Sequence, residues 1–363
     1  MRNASQGNSP KVLVALSGGV DSSVAALLLQ DRGYEVYATT FWLWDYPNSP
    51  GYAGEENSCC SVSTAETVAD QLGVPHYEYD FSDQFEREIV RPTVDSYLGG
   101  LTPNPCARCN RLVRFDNLVQ VADELGVELV ATGHHVRTSR ANGEWNLLRG
   151  VDRKKDQSYF LYGLDQDQLN RALFPVGEFE KSEIYDMARE EGLLTAELDE
   201  SQDLCFVAGG DYREFLRVVA GDEISGGDIV DRDGNVLGRH DGLPFYTVGQ
   251  RRGLGLETNV ARYVIELDYE NNVLVVGPEE GLYSFGLVAT DCNWVNGRPE
   301  GESSFDVKIR YRASTVKGDV SFLDDRAEIK FHNPQKSVTP GQIAVLYDGE
   351  RLVGGGKITR SLD

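Results

Sequence analysis

Short apolar runs alternate with amphipathic segments of helical length from residue 11 to about residue 148. The apolar runs predict four strands, namely Val12–Leu16, Val36–Trp42, His76–Tyr79 and Leu129–Thr132. The segments between them predict four helices, Ser22–Asp31, Ser63–Leu72, Phe85–Tyr97 and Cys106–Leu125. Strands that alternate with helices in this way form parallel βαβ units. The pattern therefore predicts an α/β fold with a Rossmann-like parallel sheet in the N-terminal part.

The pattern changes near Gly221, where short β-rich segments separated by Gly, Asp and Asn replace the helical periodicity. Two alternating runs around Asp231–Asn235 predict a hairpin over Asp228–His240. Later runs predict a small antiparallel barrel, with strands at Ser304–Tyr311, Asp319–Phe322, Ala327–Phe331 and Gln342–Leu346. We therefore expect an α/β catalytic domain over residues 1–219, a small β-rich central domain over 220–283 and a C-terminal antiparallel β-barrel over 284–363.

Composition bounds the class of protein. The chain has 363 residues, enough for two or three domains with their own cores. Its first ten residues are polar and no apolar run is long enough to span a bilayer, so we expect a soluble protein. Six cysteines are too few for a disulfide scaffold and suit a reducing compartment. The prediction is a cytoplasmic protein.

The formal net charge of −23 would by itself argue against a nucleic-acid partner, because phosphate contacts need Lys and Arg. Binding depends on local patches, however, and the basic residues cluster. The clusters are Arg108 with Arg111 and Arg114, Arg153 with Lys154 and Lys155, Arg251 with Arg252, and Lys308 with Arg310 and Arg312. These clusters keep a nucleic-acid partner open.

A glycine turn follows the first predicted strand. The residues from Ala15 through Leu16, Ser17, Gly18, Gly19, Val20 and Asp21 to Ser22 read as a strand end, a tight turn and a helix start. Glycines let backbone N–H groups approach an anion, and the helix dipole favours negative charge at the same point. No Lys lies in the turn, so it is not the Gly-rich loop with Lys that grips β- and γ-phosphates.

Two further strand ends carry conspicuous residues, Phe41 after the second strand and Gly133–His135 after the fourth. Ligands of open α/β sheets bind outside the carboxyl ends of the strands. We therefore expect the glycine turn, Phe41 and Gly133 to converge on a nucleotide site.

A cysteine-bearing segment, TPNPCARCN, occupies residues 102–110. Asn104 suits a helix N-cap and Pro105 the first helical position, which places Cys106 and Cys109 on one face of the opening turns. The helix N-terminus, with Arg108 and Arg111 nearby, should lower a thiol pKa and favour the thiolate.

A third cysteine, Cys205, lies far away in the sequence. Three interpretations of these thiols stay open: inert core thiols, ligands of zinc or an iron–sulfur cluster, or partners in sulfur chemistry. For the adjacent Cys59 and Cys60, we favour the interpretation as inert thiols.

The seven residues SGGVDSS resemble the signature of the ATP pyrophosphatase (PP-loop) enzymes. Across nearly its whole length the chain is similar to the tRNA-specific 2-thiouridylase family of that superfamily. The shared motifs, in common order, are SGGVDSS, TPNPCARCN, ATGHH, KKDQSYFLYGL, SQDLCF, VGQRRGLG, IRYRAS and TPGQ.

The resemblance implies site residues. Cys109 matches the catalytic thiol and Cys205 the persulfide-bearing cysteine of the family. The expected ATP contacts are Ala15, Leu16, Ser17, Gly18, Gly19, Val20, Asp21, Ser22, Phe41 and Gly133, and the expected contacts to the target base are Asn104, Pro105 and Cys106. The expected tRNA contacts are His134, Lys155, Asp156, Gln157, Arg310, Tyr311, Arg312 and Gln342. We read Arg310–Arg312 as part of an alternating strand that puts both arginines on one face.

The resemblance also implies a reaction, the 2-thiolation of wobble uridine with ATP and Mg²⁺. The uracil C2 oxygen is adenylated, and sulfur from a cysteine persulfide then replaces it. The expected partners are the anticodon stem-loop of tRNA and a persulfide sulfur-donor protein. Two alternatives remain at this stage: Cys106, Cys109 and Cys205 as ligands of a [4Fe–4S] cluster, or a PP-loop synthetase that adenylates a small molecule.

Overall fold

The predicted alternation of strands and helices is present in the first half of the chain. The computed structural model describes residues 9–44, 62–198, 204–207, 211–256, 260–323 and 325–363, so Cys59 and Cys60 lie outside the described residues. The strands are β1 (Lys11–Ala15), β2 (Glu35–Trp42), β3 (His76–Asp80), β4 (Leu129–Ala131), β5 (Val136–Ala141), β6 (Glu144–Arg149), β7 (Ala172–Leu173), β8 (Gly227–Val230), β9 (Val236–His240), β10 (Tyr263–Asp268), β11 (Val273–Gly277), β12 (Tyr283–Trp294), β13 (Glu302–Lys308), β14 (Val316–Leu323), β15 (Arg326–Lys336), β16 (Ile343–Asp348) and β17 (Arg351–Leu362). The α-helices are α1 (Val20–Asp31), α2 (Val62–Leu72), α3 (Ser82–Phe85), α4 (Arg91–Leu98), α5 (Pro105–Cys109), α6 (Phe115–Glu124), α7 (Gln166–Arg171), α8 (Lys181–Glu190) and α9 (Tyr212–Ala220).

The chain divides into two units. The first comprises Met1–Val90, Cys106–Gly210 and Glu350–Val353, and the second comprises Arg91–Pro105, Asp211–Gly349 and Gly354–Asp363. The boundary expected between the central and C-terminal domains stays a prediction.

The first unit is built on the predicted parallel sheet, whose strand order is β3-β2-β1-β4-β7. Every neighbouring pair in it is parallel. Val12, Leu13 and Val14 on the central strand β1 are fully buried. Such a strand reads as a continuous apolar run because helices cover both faces of a parallel sheet. The N-terminal part of the predicted fold class is confirmed.

Two predicted helices are interrupted by π-helical turns. Glu86–Val90 joins α3 to α4, and Asn110–Arg114 joins α5 to α6. Apolar periodicity cannot distinguish an added residue in one turn from a regular helix, so the sequence predicted continuous helices. The second interruption directly follows Cys109, and π-turns are frequent at functional sites.

The second unit contains a four-stranded sheet in the order β10-β11-β8-β9 and a closed barrel. The predicted hairpin is present as β8 and β9. The barrel runs β12-β15-β14-β13-β16-β17, and the pairing of β17 with β12 closes it. The predicted C-terminal antiparallel barrel is therefore confirmed, with six strands.

The strand expected over Arg310–Arg312 is wrong. Strand β13 ends at Lys308, and a turn follows in which the Ala313 N–H donates to the Arg310 carbonyl at 3.1 Å. Alternating residues in a strand face the same way, but those in a turn do not. The two arginines therefore do not share the face of a strand.

No helix in the described ranges is both long enough and apolar enough to cross a membrane.

Candidate functional site

The turn between β1 and α1 has the geometry of an anion site. Gly18 has a φ of +77°, a conformation that glycine adopts without strain, and Val20 begins α1 after it. The hydroxyl of Ser22 accepts a hydrogen bond from the Ser17 backbone N–H at 3.1 Å and lies 3.2 Å from the Ser17 hydroxyl. The turn is therefore closed on itself at the N-terminus of a twelve-residue helix, where anions are stabilised.

Gly133 lies against this turn. A Cβ atom at Gly133 would stand 2.5 Å from the Ser22 amide nitrogen and 2.6 Å from the Asp21 carbonyl carbon. Only glycine allows that approach. Phe41 is buried, and its ring packs edge-on against Phe81 with 5.0 Å between centroids.

Asp21 is held by two side chains that the sequence analysis did not identify as its partners. Lys181 Nζ donates to Asp21 Oδ1 at 2.7 Å, and His135 Nε2 lies 2.8 Å from the same oxygen. Burial alone raises the pKa of Asp21, but the hydrogen bond and charge of His135 and the charge of Lys181 outweigh it, so the pKa is lowered. Asp21 is thus an ionised carboxylate at neutral pH.

Lys181 could not have been found from the sequence. It is the first residue of α8 and is only 7% exposed, although its neighbours in sequence give no sign of burial. A lysine at the start of a helix normally lies in solvent. Only the packing of α8 against α1, 160 positions earlier in the chain, makes it a partner of Asp21.

The three cysteines of interest gather in the first unit. Cys106, Cys109 and Cys205 are present as thiols. Cys106 lies close enough to both Cys205 and Cys109 that each raises its pKa. The segment around Cys205 is anchored by the buried Phe206, whose ring packs against Phe85 at 5.8 Å. Residues separated by about a hundred positions thus form one thiol cluster.

The expectation of a lowered thiol pKa is wrong for Cys106. Its pKa is raised to about 12, chiefly by burial and further by the two neighbouring thiols, while the charge of Arg114 and a backbone hydrogen bond oppose the rise. Arg108 does not help because its guanidinium donates to the Glu88 carbonyl at 2.6 Å and pairs with the Glu88 carboxylate. Desolvation disfavours a thiolate more than a short helix stabilises it.

His134 directly follows Gly133 and is influenced by the charges of Asp21 and Arg114. Its Nδ1 is 2.8 Å from the Thr132 hydroxyl, and its ring lies 6.0 Å from that of Phe115. Its pKa is lowered to about 3, chiefly by burial and also by the charges of Arg114 and His135, while the charge of Asp21 opposes this. The ring is therefore neutral at pH 7. Its contact with tRNA stays a prediction.

The expected tRNA contacts Lys155, Asp156 and Gln157 lie in one loop of the first unit. The Asp156 carboxylate is buried and accepts hydrogen bonds from the N–H groups of Gly150 and Ser158. Its side chain therefore shapes the loop from inside. Lys155 is half-buried, next to the exposed Lys154.

The segment before the cysteines belongs to the second unit and is held there by the turn that contains Gln342. Thr102 N–H donates to the Pro340 carbonyl at 2.9 Å, and Gln342 Nε2 donates to the Thr102 carbonyl at 3.2 Å. Pro105 is the first residue of α5, as predicted, with Asn104 directly before it. Asn104, Pro105 and Gln342 thus lie in connected segments.

The remaining expected tRNA contacts lie in the turn after β13. Arg310 is exposed and donates to the Lys336 carbonyl at 3.2 Å, and Arg312 is also exposed. Lys308 Nζ stands 5.4 Å from the centre of the Tyr311 ring. This turn presents positive charge to solvent.

The alternative in which Cys106, Cys109 and Cys205 hold a [4Fe–4S] cluster stays a prediction. Among residues in the described ranges, no group of three or more His, Cys, Asp or Glu side chains could hold a metal ion. A magnesium ion bound through nucleotide phosphates needs only one or two carboxylates, and the ionised, 29% exposed Asp21 side chain fits that role.

Comparisons with known proteins agree along the whole chain. Residues 10–209 match the family model described as tRNA methyl transferase HUP domain, residues 213–278 its PRC-barrel domain, and residues 284–358 the aminomethyltransferase beta-barrel domain. The tRNA-specific 2-thiouridylase MnmA of Carboxydothermus hydrogenoformans is 45% identical over 360 residues, which cover 97% of this chain and 98% of that protein. The same enzyme of Heliobacterium modesticaldum is 46% identical over 363 residues, 97% of this chain and 93% of that protein.

Among solved structures, a 4-thiouridine synthetase–RNA complex with bound ATP resembles 59% of this chain and 51% of that chain, at 19% identity and a TM-score of 0.37. That likeness is too weak to support an assignment, which rests on the full-length relatives and the three matched domains. The chain belongs to the tRNA-specific 2-thiouridylase family.

Proposed function

We propose that this chain converts the wobble uridine of tRNA to 2-thiouridine in an ATP-dependent reaction in the cytoplasm. Membership of the family makes it a tRNA sulfurtransferase. The small-molecule synthetase gains no support from these relatives. The order of steps and the roles of individual residues are our proposal.

One observation carries the proposal: the guanidinium of Arg114 acts on a thiol and on the residue next to Gly133, which lies against the nucleotide turn. Arg114 lies close enough to Cys106 and to His134 to lower the pKa of both groups, and His134 in turn senses the charge of Asp21. In this proposal an activated base held near Arg114 would be within reach of both the nucleotide and the thiols. Sulfur transfer to an adenylated base needs both within reach of one atom.

In the first step the uracil C2 oxygen attacks the α-phosphorus of ATP. The bond between the α- and β-phosphates breaks and pyrophosphate leaves, which turns a poor leaving oxygen into AMP. The N–H groups of Ser17–Ser22 at the N-terminus of α1 would hold the departing charge. A magnesium ion, with Asp21 as a ligand, would neutralise part of that charge.

In the second step sulfur replaces the activated oxygen. A donor protein first loads a sulfur atom onto Cys205, and the terminal sulfur of this persulfide attacks C2 and expels AMP. Cys109 then attacks the Cys205 sulfur, so the sulfur–sulfur bond breaks and its electron pair stays on the base. A Cys109–Cys205 disulfide results, and an external dithiol must reduce it before the next turnover.

Cys106 is best suited to remain a thiol in this scheme. Its high pKa makes it a poor nucleophile at neutral pH, and its S–H group can donate a hydrogen bond to the base. Asn104 and Pro105, which directly precede Cys106 in the chain, are the other expected contacts to that base. We propose that Cys106 contacts the target base, while Cys109 and Cys205 carry out the redox chemistry.

Basic and polar side chains supply the tRNA contacts in this proposal. Lys155 and Gln157 from the first unit, and Arg310 and Arg312 from the second, would bind the anticodon stem-loop through its phosphates. The base has to leave the anticodon stack to reach the thiols.

The test is to incubate the protein with ATP, Mg²⁺, a reductant, a cysteine desulfurase with cysteine, and an unmodified tRNA transcript with uridine at the wobble position. Mass spectrometry of the digested RNA should detect 2-thiouridine. A transcript with cytidine at that position is the matched substrate control. If no 2-thiouridine forms while a small acid elicits pyrophosphate release, the proposed function is wrong.

Variants separate the two steps. Cys109→Ser and Cys205→Ser should each abolish 2-thiouridine but retain pyrophosphate release, and Cys292→Ser is the matched control outside the thiol cluster. Asp21→Asn should abolish pyrophosphate release, with Asp31→Asn at the other end of α1 as control. Full thiolation by Cys109→Ser or Cys205→Ser would refute their assigned roles.

A further inference from the structure

The loop that holds the expected tRNA contacts is bonded directly to the start of α8. We call Gly150–Ser158 the KDQ loop. Within it, Asp152 Oδ1 accepts hydrogen bonds from the N–H groups of Lys154 at 2.9 Å and Lys155 at 3.2 Å. Its other oxygen, Oδ2, accepts one from the Lys181 N–H at 3.2 Å. One buried carboxylate therefore joins the backbone of Lys155 to the first residue of α8.

Lys181 continues this connection to the nucleotide turn. Its backbone N–H is held by Asp152, and its ammonium group donates to Asp21 Oδ1 at 2.7 Å. Because the residue is only 7% exposed, its side chain has little freedom to move independently of its backbone. A displacement of Asp152 is thus passed to the ammonium group that contacts Asp21.

A second connection runs in parallel through His135. Its backbone N–H donates to Gln157 Oε1 at 2.8 Å, and its carbonyl accepts from the Gln157 N–H at 3.1 Å. Its side chain reaches the same Asp21 oxygen at 2.8 Å. Since a carboxylate only accepts, Nε2 carries the proton, and Nδ1 is buried without a hydrogen-bond partner in the described structure. The ring therefore has one function visible here, its contact with Asp21.

We propose that Asp152 and Lys181, supported by His135, are positioning residues that couple tRNA binding at the KDQ loop to nucleotide binding at Asp21. This inference rests on the proposed function, because it takes Lys155 and Gln157 as tRNA contacts. Both connections end on Asp21 Oδ1, so the position of the KDQ loop sets the orientation of the carboxylate that would bind the magnesium–nucleotide complex. A tRNA that orders the loop then prepares the nucleotide site before ATP is spent.

Coupling of this kind is reciprocal. If tRNA lowers the nucleotide dissociation constant by some factor, the nucleotide must lower the tRNA dissociation constant by the same factor. We expect a factor of about ten, within the usual range for coupled sites. A titration with the nucleotide and a titration with tRNA must therefore give the same factor.

The experiment measures both dissociation constants on the full chain. The probes are an ATP analogue with a methylene group between the α- and β-phosphates, which cannot be cleaved, and an unmodified tRNA transcript. Each is titrated alone and in the presence of a saturating amount of the other. For the unsubstituted protein, we expect each constant to fall about tenfold in the presence of the other ligand.

Asp152→Asn is the informative variant. The amide oxygen can keep the hydrogen bonds from Lys154 and Lys155, but its NH₂ group then faces the Lys181 N–H and the connection to α8 is lost. For each ligand, the ratio of the dissociation constant measured alone to that measured with the other ligand present should fall to about one, whatever the individual affinities. Lys181→Met, which cuts the connection at Asp21, should do the same if Asp152→Asn does not fold. Asp186→Asn, an exposed substitution on α8, should keep the full ratio.

The outcomes separate the inference from the function. If the unsubstituted protein makes 2-thiouridine but shows a ratio near one, or if Asp152→Asn and Lys181→Met both keep the full ratio, the coupling is wrong and the function stands. If the unsubstituted protein neither binds nor thiolates tRNA, both are overturned.

Discussion

The backbone of Gly133 passes so close to α1 that a Cβ atom at this position would lie 2.5 Å from the amide nitrogen of Ser22. Real Cβ atoms do not approach a backbone nitrogen this closely, so either the loop or the first turn of α1 would have to move. The strand end that carries Gly133 therefore determines the shape of the nucleotide turn.

Gly133→Ala should weaken nucleotide binding. Overpacking of this kind costs about 1–3 kcal/mol, which corresponds to about a tenfold loss of affinity for the ATP analogue. Thermal unfolding and a nucleotide titration would measure the two effects. Gly221→Ala is the control, because a Cβ there meets no atom within 4 Å and its φ is −56°. Unchanged affinity in Gly133→Ala would contradict the close approach.

His134 should make the protein less stable as the pH falls from 7 to 5. Its pKa is lowered from 6.5 to about 3, chiefly by burial, so the unfolded chain takes up a proton in this range while the folded protein does not. Unfolding is therefore favoured by acid, by about 2 kcal/mol at pH 5. The lowered pKa of Asp21 contributes nothing here, since this carboxylate is ionised in both states above pH 5.

Denaturant unfolding at pH 7 and pH 5 tests this. His134→Asn should reduce the pH dependence, with the remainder coming in part from His76 and His240, whose pKa values burial also lowers. His332→Asn, at an exposed position in the barrel, should keep the full pH dependence. Equal pH dependence in the protein and in His134→Asn would show that the ring titrates normally.

Cys106 should resist alkylation in the folded protein. With a pKa of about 12 in place of 9.0, its thiolate fraction at pH 8 is lower by about a thousand-fold, and alkylation slows in proportion. Iodoacetamide labelling followed by peptide mass spectrometry measures the rate. The urea-unfolded protein is the control, in which Cys106 should react at an ordinary rate. A fast reaction at Cys106 in the folded state would argue against its raised pKa.

Lys155→Ala and Arg312→Ala should each weaken tRNA binding in a salt-dependent way. Removing one phosphate contact lowers the slope of log affinity against log salt by roughly 0.9 or less, depending on local RNA structure. Binding titrations between 50 and 200 mM salt, roughly the range over which such contacts weaken, measure the slope. Arg189→Ala, at an exposed position paired with Asp186, is the control. A slope that stays the same in Lys155→Ala would remove this residue from the interface.

Much of the site's local structure was predictable because short-range geometry decides it. The order Ser17, Gly18, Gly19 predicts a tight turn before a helix, since glycine supplies the positive φ that Gly18 adopts. Pro105 starts α5 because its missing N–H costs nothing at a first helical position. The parallel sheet followed from apolar runs of strand length separated by helical segments.

The errors share one physical origin. Arg310–Arg312 continues an alternating pattern, yet the chain turns there because β13 pairs only as far as Lys308. Strands β12 and β17 went unrecognised because their partners are each other and distant strands, so pairing rather than local pattern defines them. In these segments, pairing with distant strands overrides the secondary structure that the local residue pattern favours.

The amino-acid sequence by itself determined the nucleotide turn, the order of strands and helices in the first unit, and the thiols that a sulfurtransferase needs. Only the tertiary structure decided that Cys106 keeps its proton, that Arg114 rather than Arg108 stands beside it, and that Lys181 pairs with Asp21. The reason is that burial and charge act through space. A residue's pKa and partners depend on what packs around it, and here those neighbours come from segments up to 160 positions away.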